Sequence, residues 1–130
     1  MVNRLEALLD SIASLNGWSS PDSKAYQLRN PLLVKSFSRP GKNEIDPDGV
    51  RIFSSALAGL RGCLFDLEIK IKGESRAGVK PDDKLENILR VMGVTELGGQ
   101  QQAIKFLKRA LKTQDIKLTT PLAWFLEGEK

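Results

Sequence analysis

A chain of 130 residues with 41% hydrophobic and 28% charged side chains has the length and balance of one folded domain that buries its own core. It holds one cysteine and no histidine, which excludes an internal disulfide, zinc sites built on Cys and His, and Ser-His or Cys-His catalytic triads. A net charge of +4 and a pI near 9.3 favour an anionic partner such as nucleic acid, an acidic membrane surface or a wall polymer, although so small an excess also suits an ordinary surface.

The N-terminus carries charges in its first turns and lacks the apolar segment of a secretory signal. No run approaches the roughly 18 apolar residues of a membrane span. The expectation is therefore a cytoplasmic protein without a span, and no cofactor or metal is expected.

Residues 3–16 read as a helix with Leu5, Leu8, Leu9, Ile12 and Leu15 on one stripe. Asn3 and Glu6 have the spacing of a capping box, and Gly17 suits the position just past the helix end. Residues 17–53 contain four prolines among Ser, Asp, Gly and Asn, which argues against helix there. Leu32-Leu33-Val34 and Val50-Arg51-Ile52-Phe53 read as short strands. The turn signals Pro40-Gly41 and Asp46-Pro47-Asp48-Gly49 lie between them, so a small hairpin is expected. A loop this long in a compact domain often carries function.

Residues 55–72 read as the central helix, capped by Ser54 or Ser55, with Leu57, Leu60, Leu64, Leu67 and Ile71 on one face. Gly59 and Gly62 each cost a helix about 1 kcal/mol relative to Ala, which points to close packing against them. Cys63 reads as a small core residue rather than a nucleophile. Residues 81–92 and 100–112 read as two further helices, with Leu85, Ile88, Leu89 and Met92, then Ala103, Ile104, Leu107, Ala110 and Leu111, turned inward. Residues 96–99 read as a turn. Thr120-Pro121 reads as a cap opening a short last helix at 122–127. The fold class is mainly α with a minor short hairpin, about five helices in a single domain.

Three features could carry chemistry. Lys105, Lys108, Arg109 and Lys112 share one helix face and could contact phosphates, although cations near a helix C-terminus are also an ordinary solvated face. Asp22, Glu44, Asp46 and Asp48 are the acids of the irregular segment. Asp46 and Asp48 flank Pro47 and read first as turn formers.

The third feature is a series of short motifs. Asn16-Gly17-Trp18 ends the first helix, and Asp22-Ser23-Lys24-Ala25-Tyr26 then runs into Asn30-Pro31. Asp48-Gly49-Val50-Arg51-Ile52-Phe53 and Gly73-Glu74-Ser75-Arg76 follow. Leu85-Glu86-Asn87-Ile88-Leu89-Arg90-Val91, residues 102–111 and Thr119-Thr120-Pro121-Leu122 complete the series. Together they resemble the lysozyme-like domains of phage and prophage proteins over nearly the whole chain. The resemblance implies a lysozyme-like fold, and it places the family's catalytic glutamate at Asn16. An amide has no acidic proton for a leaving glycosidic oxygen. The family's Asn-Pro-Gly-Asn stands here as Asn30-Pro31-Leu32-Leu33.

The resemblance thus implies a non-catalytic lysozyme-like module that holds a glycan or a protein partner in a groove formed with Asn16, Trp18, Tyr26 and Asn30. Two alternatives stay open. One is an active peptidoglycan glycosidase using a relocated acid such as Glu44. The other is a nucleic-acid-binding protein using Lys105, Lys108, Arg109 and Lys112. Asn16 also has a plainer reading, as a helix-terminal residue before Gly17.

Overall fold

The computed structural model describes residues 3–35, 45–47, 49–74 and 78–127. Among these residues the chain is mainly helical: α1 (Arg4–Leu15), α2 (Lys24–Gln27), α3 (Ala56–Ile71), α4 (Leu85–Val91), α5 (Leu97–Leu111) and a final 3-10 helix, Leu122–Leu126. The expected hairpin is reduced to isolated antiparallel bridges, Lys35 to Val50 and Ile45 to Arg51. Pro40 and Gly41 lie outside the described residues.

The central helix is α1, not α3. Leu5, Leu8, Leu9 and Ile12 of the expected stripe are buried, and so are Ala7, Ser11 and Ala13 between them. Small side chains there let α3, α5 and the final helix all pack on α1. At its start Glu6 N–H donates to Asn3 Oδ1 (2.7 Å) while Asn3 Nδ2 donates to Glu6 Oε1 (2.8 Å), a reciprocal cap. Arg4 stacks 3.9 Å over Trp124 and donates to its carbonyl at 2.9 Å, which clamps the C-terminal segment onto α1.

Helix α3 leaves one side exposed in both of its halves. Leu67 and Ile71 are buried, but Leu57 is 57% exposed and Phe65 63% exposed. Its glycines do mark close approach, though not to another helix. A Cβ on Gly59 would lie 1.8 Å from the Arg29 carbonyl oxygen, and one on Gly62 would lie 2.5 Å from the Phe53 ring. The irregular segment packs into the space those glycines leave.

The segment expected to lack helix contains the one-turn α2, capped by Ser23. Helix α5 begins at Leu97, so the turn expected at 96–99 is its first turn. Helix α4 begins at Leu85, because Pro81–Lys84 is held by the C-terminal segment: Leu122 N–H donates to Asp83 O and Ala123 N–H to Pro81 O, both at 2.8 Å. Thr120 does not cap the last helix. Its hydroxyl accepts from Lys117 N–H instead, at 2.8 Å.

Several helices close in one way. Past α1, Trp18 N–H donates to Ala13 O (3.0 Å) and Gly17 N–H to Ser14 O (3.1 Å), with Gly17 left-handed at φ 79°. This is the Schellman closure. Past α2, Asn30 N–H donates to Ala25 O (2.9 Å) and Arg29 N–H to Tyr26 O (3.2 Å), with Arg29 left-handed at φ 53°. A residue with a Cβ in that conformation costs about 1–2 kcal/mol.

Asn30 holds the irregular segment to the helices. It is fully buried. Its Nδ2 donates to Val34 O and Arg51 O, each at 2.9 Å, and its Oδ1 accepts from Val34 N–H (3.0 Å) and Cys63 Sγ (3.2 Å). Replacing it by Ala would leave the Val34 N–H and the Arg51 carbonyl without that partner in a dry site. Asn30→Ala should therefore lower stability by about 2–4 kcal/mol in urea unfolding. Gly59→Ala should be destabilising by about 2 kcal/mol or more, and should exceed Gly62→Ala, because a backbone carbonyl cannot move aside as a ring can.

Candidate functional site

Two helix ends meet to form a groove. Gly17 turns the chain out of α1, and the Ser23 hydroxyl donates back to the Gly17 carbonyl at 2.5 Å while accepting from Tyr26 N–H at 3.1 Å. Ser23 thus caps α2 and fixes it against the end of α1. Trp18 from one end and Tyr26 from the other line an open groove of about 500 Å³ with Pro21, Gln27, Arg29 and Ala56. Tyr26 is 49% exposed, so its ring is offered to solvent.

Of the expected groove residues, Trp18 and Tyr26 line this groove. Asn16 and Asn30 do not. Asn16 is the cap residue of α1, and its Nδ2 donates to Pro31 O at 3.0 Å, which ties the end of α1 to the turn after α2. Asn30 is corrected from a groove residue to a buried structural amide, because four hydrogen bonds inside the core use it fully. Arg29, Gln27 and Pro21 escaped sequence reading because α2 itself was not expected. Ser23 before Lys-Ala-Tyr-Gln was the available signal, a capping residue opening a helical turn.

No carboxylate lines the groove among the described residues. Glu44 and Asp48 lie outside the described residues. Asp22 is exposed, and Asp46 acts as a turn former. Its carboxylate accepts from Val50 N–H at 2.8 Å and pairs with Lys24 at 2.7 Å. Among the described residues no group of acids, Cys or His could hold a metal ion, and no helix is long and apolar enough to cross a membrane.

Lys105 and Arg109 are exposed on α5 and Lys108 is half-buried, while Lys112 lies past the helix end as its left-handed cap, so three of the four expected cations stand on the helix itself. That placement fits a solvated helix face as well as it fits a polyanion surface. Cys63 is fully buried, and burial pushes its thiol up to about 12, so it remains protonated and unreactive at neutral pH.

A second groove, about 320 Å³, runs between α1 and α3 and is lined by Leu9, Leu57, Leu60 and Leu64 with Glu6, Asp10 and Arg61. Partial burial there, and then the charge of Glu6 one turn earlier, raise the Asp10 carboxyl above its ordinary 3.8.

No protein-family model, no curated protein and no solved structure matches this chain. What it does has to be argued from its own groove.

The Asp10 shift has a defined sign. The fold disfavours the charged form, so the contribution of this one group to stability is most favourable below the ordinary aspartate range, falls as pH rises through it, and stays lower at neutrality. Asp10→Asn removes that penalty. Its melting temperature should exceed that of the unaltered protein at pH 7, and the gap should close by about pH 3. A gap of equal size at both values would assign the effect to packing instead of charge.

Proposed function

We propose that this chain is a non-catalytic lysozyme-like module that binds a glycan strand along the Trp18–Tyr26 groove. The observation that carries the reading is the composition of the groove. Among the described residues it is lined by two aromatic residues, Gln27 and Arg29, and by no acid. Hydrolysis of a glycosidic bond needs a carboxylic acid to protonate the leaving oxygen, and usually a second carboxylate. Binding needs only a face for the sugar ring and a few polar groups at its rim.

The state of Asn16 supports the same reading. An amide at this position donates a hydrogen bond that the Pro31 carbonyl accepts. A carboxylate there could not donate it. The residue standing at the position of a family's proton donor thus has a structural use of its own. The lysozyme-like character rests on the sequence motifs, and the choice of glycan over protein rests on the two aromatic residues of the groove, Tyr26 half-exposed and Trp18 partly buried against the core.

Fluorescence tests this directly. The other tryptophan, Trp124, packs under Arg4 and edge-on to Phe125 at 5.1 Å, so Trp124→Phe leaves Trp18 as the single reporter. Titration with wall-derived oligosaccharides should shift Trp18 emission saturably, and Trp18→Ala or Tyr26→Ala should weaken binding about tenfold, as loss of about 1.4 kcal/mol does. Muropeptide release should be absent from pH 4 to 8. Release of product in that range would establish an enzyme and end this reading.

A further inference from the structure

We propose that the groove is selective for an acidic glycan, with Arg29 receiving the carboxylate of a sugar whose ring face lies on Trp18 and Tyr26. This rests on the glycan reading above and adds the charge of the ligand to it.

Arg29 stands where a helix closure favours glycine. The closures after α1, α3 and α4 place Gly17, Gly73 and Gly93 at the left-handed position, and the closure after α2 places Arg29 there. Lys112 is a second cation in this conformation, but it ends the fifteen-residue α5, whose dipole a terminal cation complements. Helix α2 has four residues and little dipole to complement. The strain at Arg29 therefore has no comparable local compensation.

The surroundings hold this strained residue in place. Its carbonyl sits against Gly59, where a Cβ would collide at 1.8 Å, and the next residue is the buried Asn30. The backbone of Arg29 is thus fixed on both sides, and the residue is exposed and lines the groove. Among the described residues no carboxylate pairs with Arg29, and no other charged residue lines the groove. An arginine lining a groove with two aromatic residues, with no carboxylate partner among the described residues, matches a ligand with an apolar ring face and a planar anion. Arginine suits a carboxylate through paired N–H donors.

The test uses two probes that differ only in charge, with Trp18 emission in the Trp124→Phe background as the readout. One is a tetrasaccharide of alternating N-acetylglucosamine and N-acetylmuramic acid. The other is the same compound with its carboxyls converted to amides. The acid form should bind at least tenfold more tightly, with a preference that shrinks as salt is raised. Arg29→Gly and Arg29→Gln should both abolish the preference. Arg29→Gly should also keep or raise the melting temperature, since glycine is at ease in the left-handed position. Equal binding of the two probes, or a preference that survives both substitutions, would overturn the role of Arg29 and leave the glycan groove standing. A melting temperature well below that of the unaltered protein in Arg29→Gly would make Arg29 structural and overturn it too. Failure of both probes to bind would defeat the groove reading and this inference with it.

Discussion

The amide of Asn30 is the constraint on which the non-helical part of this molecule depends. An asparagine side chain has two N–H donors and a carbonyl oxygen that accepts twice. Here all four are used, on Val34, Arg51 and Cys63, in a site closed to water. The bonds run to the turn after α2, to the extended stretch before α3 and to α3 itself. Asn30 so joins three parts of the chain that share no regular secondary structure. A buried amide with every group paired is worth keeping, and one left half-paired would be worse than an apolar side chain.

The site follows from that anchor. With Asn30 fixed, its neighbours Arg29 and Pro31 are fixed. The Arg29 carbonyl then rests on Gly59, and the Pro31 carbonyl accepts from Asn16. Those contacts bring the ends of α1 and α2 together, and Trp18 and Tyr26 stand on the residues that leave or form those ends. The groove is thus a consequence of how two helices terminate. Its aromatic rings are presented by turns whose backbone is hydrogen-bonded into the core, which limits the ordering a ligand must impose.

Much of the helical framework was legible in the sequence because periodicity and caps are local signals. Leu5, Leu8, Leu9 and Ile12 announced α1, Asn3 announced its start, and Gly17 its end. Gly59 and Gly62 announced close packing, but a glycine does not say what approaches it, and the neighbours are a carbonyl and a ring in place of a helix. The rank of α1 over α3 was hidden for the same reason: Ala7, Ser11 and Ala13 look neutral in a pattern of leucines, yet they admit neighbours on more than one side. Helix α2 was hidden by the prolines around it, since four residues are too few to show a period. Without α2 the place of Arg29 in the groove could not be seen. Asn30 was singled out for a resemblance and proved to matter for its hydrogen bonds, which join residues up to 33 positions apart in sequence. Such long-range pairing leaves no local pattern.

The central claim is that the segment around Asn30 belongs to the cooperative core and is not a loosely attached loop. Native-state hydrogen exchange followed by NMR tests it most directly. The amides of Val34, Arg51 and Phe53 donate to Asn30 Oδ1, Val34 O and Leu28 O. They should exchange only through the same global opening that exposes the amides of α1, with matching dependence on denaturant. Exchange of these three amides through a local opening, with little denaturant dependence and long before α1, would contradict the account.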